Sequence, residues 1–226
     1  MRYEIKGEPM PVVECFLERD ESINCENGGM SWMSDNMEMS TTSGGLGSMF
    51  SKALTGESIF LNTYTARDRE GMIAFASSFP GNILAIELLP GQELLCQKSA
   101  YLASTPGITL SIAFQKKLGA GLFGGEGFIM QRLSGSGLVF VELDGSIVTK
   151  ELAEGERILV DTGYVAMMDG TCSMDIRTVR GLKNVMLGGE GAFHTEVTGP
   201  GRVFLQTMPC WRLAGQIRNF MPIQNH

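Results

Sequence analysis

The chain of 226 residues contains only two histidines, His194 and His226, and few charged residues. Charged side chains make up 19% of it, below the roughly 25% of an average soluble protein. Metal centres in β-helical folds need two or three histidines and a carboxylate, and Ser–His or Cys–His nucleophiles need a paired histidine. We therefore expect no catalytic residues, no metal and no cofactor, and no enzyme activity.

Long hydrophobic runs are also lacking. No segment approaches the roughly 20 apolar residues of a membrane helix, so we expect no transmembrane segment. The start, MRYEIKGEPMPVVE, has charge and proline where a secretory signal has an apolar run. The net charge is −7, and Lys116-Lys117 is the longest basic cluster. Because nucleic-acid binding depends on Lys and Arg that neutralise phosphates, we expect no nucleic-acid partner. A cytoplasmic location follows as the default.

The cysteines lack any CxxC pair and are odd in number. Metal-binding and redox cysteines commonly come in such pairs. We therefore predict small buried hydrophobic side chains in a reducing compartment. The five are Cys15, Cys25, Cys96, Cys172 and Cys210.

Glycine is abundant, with 29 residues, and short apolar runs alternate with turn residues. This pattern predicts an all-β fold. The chain also repeats itself at an offset of 64 residues. LFGGEGFIMQRLSGSGLVFV at 122–141 matches MLGGEGAFHTEVTGPGRVFL at 186–205, and PGQELL at 90–95 matches EGERIL at 154–159.

A weaker third copy lies near the N-terminus, where ESINCENGGMSWM at 21–33 aligns with ERILVDTGYVAMM at 156–168. We expect one β domain over 1–226, in which three related units close on one another and share a core. The expected units are 12–75, 76–143 and 144–208, followed by a C-terminal segment at 209–226.

Several segments carry more specific expectations. Asp144-Gly145 between apolar runs predicts a β-hairpin, and Ser134–Gly137 predicts a second turn between strands. Ser48–Leu54 indicates a helical turn, whereas GITLSIAFQKKL fits a helix or a strand. The stretch CWRLAGQIRNF predicts a short C-terminal helix with one shared face, formed by Trp211, Leu213, Ile217 and Phe220.

Three segments resemble the altered-inheritance-of-mitochondria protein family. They are PGNILAIELLPGQELLCQKSAYLAS, GGEGFIMQRLSGSGLVFVELDG and GPGRVFLQT, and the resemblance extends from Tyr3 to Leu213. It implies a β-sandwich related to the tryptophan-RNA-binding attenuation protein, described as a distorted double-stranded β-helix with threefold internal repetition. The shared motifs are structural glycines and strand patterns, so the resemblance implies no catalytic residues.

One motif and four carboxylates remain as candidates for chemistry. GAGLFG at 119–124 matches GxGxxG, and Asp144 lies 20 residues after Gly124. A dinucleotide site needs a helix after the motif, and the glycine-rich continuation favours a structural turn. The carboxylates are interpreted as turn or strand-edge charges; they are Glu87, Glu93, Glu142 and Asp161.

Methionines cluster near Trp32, and two apolar stripes lie at 46–54 and 110–118. The methionines fit strand packing with a loop, a protein-contact surface or a soft-metal site, and each stripe fits the core or a subunit interface. The methionines are Met30, Met33, Met37, Met39 and Met49. The stripes are Leu46, Met49, Phe50 and Leu54, and Leu110, Ile112, Phe114 and Leu118.

These features favour a non-enzymatic β-domain that forms a homo-oligomer and acts as a scaffold or a protein-interaction module. The alternative is a small-ligand-binding module with a pocket between repeats or subunits. An enzyme is the third hypothesis, and it requires a cleft with perturbed carboxylates or cysteines.

Overall fold

The computed structural model describes residues 1–41, 61–116, 127–178, 193–218 and 220. The chain is predominantly β, with antiparallel sheets and one short helix, α1, at Cys210–Arg218. The all-β class and the C-terminal helix are therefore confirmed. Several sequence expectations lie outside the described residues, namely the helical turn at 48–54, the stripe at 46–54, GAGLFG at 119–124, Leu118 and His226.

Three units of six strands follow one another along the chain. The first follows β1 (Arg2–Lys6) and contains β2 (Val12–Leu17), β3 (Ser22–Glu26), β4 (Trp32–Met33), β5 (Met37–Thr41), β6 (Leu61–Ala66) and β7 (Gly71–Ala76). The second contains β8 (Gly81–Leu88), β9 (Glu93–Gln97), β10 (Tyr101–Ser104), β11 (Ile108–Lys116), β12 (Phe128–Gly135) and β13 (Gly137–Asp144). The third contains β14 (Ile147–Leu152), β15 (Arg157–Asp161), β16 (Val165–Asp169), β17 (Ser173–Thr178), β18 (Phe193–Thr198) and β19 (Gly201–Gln206).

The three units share one pairing pattern. In the second unit β8, β13 and β10 are neighbours in one sheet, and β9, β12 and β11 are neighbours in another. The corresponding strands of the first and third units pair in the same way. Each unit is thus a small two-layer sandwich, and the threefold repetition predicted from the sequence is confirmed at the level of strand pairing.

One turn shows how closely the backbone repeats. In each unit, a side-chain oxygen just after β4, or at the equivalent position, accepts a hydrogen bond from the same backbone N–H. Ser34 Oγ accepts from Met72 N at 2.9 Å, and Thr105 Oγ1 accepts from Leu138 N at 3.0 Å. Asp169 Oδ2 accepts from Arg202 N at 2.9 Å. Three different residue types therefore satisfy the same backbone group.

Alternation of apolar residues places one face of many strands in the core, as in β2 and β6, where every second residue is buried. The buried residues form three clusters. The buried members of each cluster come from the second unit and from one of its neighbours. The second cluster also has Leu61 of the first unit and Phe204 of the third packed against it, so all three units contribute to this part of the core.

One local prediction, the hairpin at Asp144-Gly145, needs correction, whereas the turn predicted at Ser134–Gly137 is present between β12 and β13. Asp144-Gly145 does form a turn, with Gly145 at φ +72°, but β13 and β14 belong to different sheets. The turn at Ser134–Gly137 likewise joins β12 and β13 of different sheets. Neither turn makes a hairpin, because β12 and β13 lie in the two different layers of the second unit and β14 begins the third unit in another sheet. The ambiguous segment GITLSIAFQKKL is resolved as a strand, β11.

Helix α1 packs beside the third unit. Its first residue, Cys210, donates a backbone hydrogen bond to Asp144 Oδ2 at 2.8 Å, which satisfies one of the N–H groups left open at a helix start. A Cβ on Gly163 would collide with the Trp211 ring, so this close approach requires glycine. Trp211 and Leu213 are half-buried, whereas Ile217 and Phe220 are exposed. The predicted shared face is therefore covered only at its N-terminal end.

Candidate functional site

Neighbouring units are joined by strand pairing, and we call each junction a seam. At the first seam β3 pairs with β10, with Cys25 opposite Ala103 and Asn24 opposite Ser104. Tyr101 Oη also donates to the Asn24 carbonyl at 3.3 Å. The two units thereby share one six-stranded sheet with the order β5-β6-β3-β10-β13-β8.

The second seam repeats the first in the same register. Here β9 pairs with β16, which places Cys96 opposite Met167 and Leu95 opposite Met168. The sheet across this seam has the order β11-β12-β9-β16-β19-β14, which matches the first shared sheet strand for strand. Gln97 Nε2 donates to the Val165 carbonyl at 2.6 Å, so side chains as well as backbone hold the seam.

A third seam of this kind would join β15 to β4. Both strands are described, yet the sheets over the described residues end with β4 in the order β1-β2-β7-β4 and with β15 in the order β15-β18-β17. We call the side of β4 that faces away from β7 the head edge, and the side of β15 that faces away from β18 the tail edge. If β4 and β15 were paired, these two sheets would form a third six-stranded sheet like the two shared sheets, with β1 as an additional strand.

Apolar side chains at the head and tail edges are exposed. By strand pairing, Trp32 and Met33 are equivalent to Met167 and Met168. Both residues of the inner pair are 0% exposed, whereas Trp32 is 45% exposed and Met33 is 39% exposed. Leu159 of the tail edge is 64% exposed, while its equivalent Leu95 is 8% exposed. The same backbone positions are therefore covered at the second seam and uncovered at the two edges.

The identity of the edge residues matches the second seam. Met168 and Leu95 face each other there, and both belong to one core cluster. Their equivalents at the head and tail edges are again a methionine and a leucine, Met33 and Leu159. The chain therefore carries both halves of a known cross-strand pair at separate edges.

A cavity of about 330 Å³ lies at the second seam, between the turn that follows β8 and the turn that follows β16. Its wall includes Glu87, Glu93, Asp169 and Arg202. Arg202 binds Asp169 through two hydrogen bonds of 3.0 Å each, from Nε to Oδ2 and from Nη2 to Oδ1. The Arg132 guanidinium pairs with Glu93. The cavity thus has a mixed lining of apolar, glycine and charged residues, and two of its carboxylates already have cationic partners.

Two of the four carboxylates noted in the sequence, Glu87 and Glu93, come together in this cavity. The other two lie elsewhere. Glu142 is buried and accepts hydrogen bonds from Ser78 N at 2.7 Å and Ser77 Oγ at 3.0 Å. Burial raises the pKa of Glu142 despite these bonds. Asp161 lies at the end of β15, opposite His194 of β18.

The methionine cluster does not form a single surface. Met37 is buried in the first core cluster, and Met30 packs against that cluster. Met33 and Met39 are exposed, and Met49 lies outside the described residues. The cluster therefore divides between strand packing and two separate exposed positions, Met33 on the head edge and Met39 on β5.

The stripe at 110–118 also divides. Leu110 is buried, Phe114 packs against a core cluster, and Ile112 is exposed. The pairing of β11 with β12 shifts between Ile112 and Phe114. Such a bulge changes which face of the strand the next side chains use. The residues of this stripe therefore do not share one face.

The cysteines are free thiols, four of them buried and Cys210 half-buried. Burial raises the pKa of Cys15 and of Cys96 to about 12, and that of Cys25 to about 11. A thiol is a nucleophile only as the thiolate, so these cysteines behave as small hydrophobic side chains. Within the described ranges, no three His, Cys, Asp or Glu residues converge as a metal site.

A match to a family model extends over residues 3–208, and the model is described as mitochondrial biogenesis AIM24. The chain belongs to this family. A relative in Streptococcus pyogenes serotype M6, uncharacterized protein M6_Spy0233, is 29% identical over 237 residues, which cover 100% of the chain and 93% of the relative. The crystal structure of protein SPYM3_0169 from Streptococcus pyogenes has the same fold, with a TM-score of 0.79 at 24% identity. The match covers 97% of this chain and 99% of that one.

Membership of the AIM24 family confirms the resemblance seen in the sequence, and these relatives bring no biochemical role with them. Among the described helices, none is long and apolar enough to cross a membrane. Sequence reasoning missed the tail edge. The offset of 64 aligns Leu159 with Leu95, but only the burial of Leu95 in the structure raises the question of what covers Leu159.

Proposed function

We propose that the chain is a non-enzymatic scaffold that self-associates through its exposed apolar strand edges. The exposure of Trp32, Met33 and Leu159 carries this proposal, because the equivalent positions inside the chain are buried. Exposed apolar side chains at unprotected strand edges invite pairing with another chain. The cytoplasmic location expected from the sequence remains part of the proposal.

Native mass spectrometry of the purified chain tests the proposal. We expect a defined multiple of the chain mass at micromolar concentration, with no added small molecule. A matched variant, Trp32→Ser, should shift the distribution towards the single chain. A wild-type protein that remains a single chain at all concentrations would refute self-association.

The cavity at the second seam favours a second candidate function, the binding of a small polar ligand. Its volume lies at the lower end of the range for small-molecule sites, about 300–1,000 Å³. The charged groups that line it are suited to a charged or zwitterionic molecule. Protein purified gently from its own host should then carry a reproducible small adduct in native mass spectra, and Arg202→Ala should lose it. The absence of any adduct would count against this function.

A further inference from the structure

The two seams inside the chain define what would fit the head and tail edges. Each seam joins a strand equivalent to β4 with a strand equivalent to β15, and both use the same register. The surface complementary to the head edge is therefore a tail edge. A single chain carries one of each, the head edge in its first unit and the tail edge in its third.

We propose that the head edge of one copy pairs with the tail edge of a second copy, which forms an antiparallel seam with Trp32 opposite Val160 and Met33 opposite Leu159. The register follows from the second seam, in which the equivalent residues face each other. This proposal rests on the self-association proposed above and adds its interface. The contact is heterologous, so repeated copies form a closed ring if the rotation closes and a filament if it does not.

The residues on the two edges support this occupant. In the new seam Met33 and Leu159 would repeat the buried Met168–Leu95 pair. On the opposite face of the strands, Trp32 and Val160 occupy the positions of Met167 and Cys96, which are both fully buried. The new seam would thus bury four apolar side chains whose equivalents at the second seam are already buried.

Charge also fits. Two residues beyond Met33, Asp35 corresponds to Gly170, whose N–H donates to the Glu93 carbonyl at 2.8 Å. Glu93 corresponds to Arg157 at the start of β15. Asp35 and Arg157 would therefore face each other across the new seam. Both side chains are largely exposed in the single chain, where Asp35 pairs with Arg69 and Arg157 lies 3.6 Å from Glu196.

Other strand edges do not share these properties. Strands β8 and β14 end their sheets at equivalent positions of the second and third units. No seam inside the described part of the chain uses those edges, so no internal partner defines an occupant. Among the described strands, only those of the head and tail edges have counterparts that are paired across a seam elsewhere in the chain.

Disulfide cross-linking tests the register directly. In a Cys210→Ser background, a Met33→Cys chain and a Leu159→Cys chain are co-expressed with tags of different mass and oxidised. Paired antiparallel residues lie within the Cα separation that a disulfide allows. We expect a covalent heterodimer of one chain of each kind. The four native buried cysteines should not react, and Val148→Cys in place of Leu159→Cys is the matched control on another exposed edge strand.

The outcomes separate the interface from self-association. A 33–159 heterodimer, absent from the Val148→Cys control, supports the seam. If the double variant Met33→Cys/Leu159→Cys forms only an internal bond, the seam closes within one chain and the proposal is overturned. If light scattering still shows an oligomer but no 33–159 bond forms, the proposed scaffold stands and this interface is wrong. If every protein is a single chain, both proposals fail.

Discussion

The second seam and the pair of chain-end edges use equivalent backbone positions in different surroundings. At the second seam, Met168 and Leu95 face each other and are buried. At the edges, Met33 and Leu159 have the same residue types and are exposed. Strand geometry alone therefore does not decide burial here, since burial depends on whether a neighbouring unit is present. The comparison indicates that the edges carry residues suited to a neighbour.

The largest difference is expected from the two equivalent methionines. Met168→Ala should lower the free energy of unfolding by about 2–5 kcal/mol, because it leaves a cavity in a closed core. Met33→Ala should change it by less than about 1 kcal/mol under dilute conditions, because Met33 is exposed in the single chain. Urea unfolding of both variants measures this. Equal losses in dilute solution would show that β4 is already covered within one chain.

Assembly should respond to the opposite residue. Leu159→Lys would place a charge in the proposed seam, where desolvation without a partner is costly. We expect dissociation constants to rise about a hundredfold, which corresponds to about 2.8 kcal/mol. Sedimentation velocity across a dilution series measures the change. Val148→Lys on β14, another exposed apolar position at a sheet edge, is the control, and a similar effect from it would point to a general charge effect.

Glu142 provides a reference away from the edge residues. Burial raises its pKa in the folded state above that of the unfolded chain, so the folded state holds its proton more tightly. The resulting stabilisation is fully present below the ordinary Glu pKa and is lost as pH rises through the raised value. Glu142→Gln keeps an acceptor for Ser78 N and should flatten this decline. Unfolding free energies measured over that pH range test it, and parallel curves for the two proteins would contradict it.

The smallest effect concerns charge across the seam. Each charge reversal alone, Asp35→Arg or Arg157→Asp, should raise the dissociation constant by no more than about fivefold, because exposed ion pairs contribute at most about 1 kcal/mol. The double reversal should restore the wild-type dissociation constant. Light scattering at low salt measures all four proteins. If the double variant assembles no better than the two singles, Asp35 and Arg157 do not face each other.

Much of the fold was predictable from local patterns. The offset of 64 residues and the weaker N-terminal copy predicted three related units, and the pairing of β9 with β12 and of β15 with β18 confirms that alignment. The prediction of a hairpin at Asp144-Gly145 was wrong, because the turn residues specify a reversal of the chain but not the sheet that the next strand joins. That choice depends on long-range pairing, which a local motif does not contain.

The candidate site was predictable only in part. A protein-contact surface was one of three interpretations of the methionines near Trp32, and the structure places Met33 on the head edge. The tail edge carried no compositional signal, because Ile158, Leu159 and Val160 read as an ordinary buried strand. Only the topology shows that β15 ends its sheet. Likewise, Glu87 and Glu93 meet Asp169 and Arg202 because two turns from neighbouring units converge.

Amide hydrogen exchange of the wild-type chain at high and low concentration tests the central claim most directly. If copies pair head to tail, the backbone amides of β4 and β15 should become protected as concentration rises, while those of the edge strand β14 should not change. If β4 and β15 exchange at the same rate at both concentrations, while mass measurements show the assembly forming and dissociating, the head-to-tail seam does not exist.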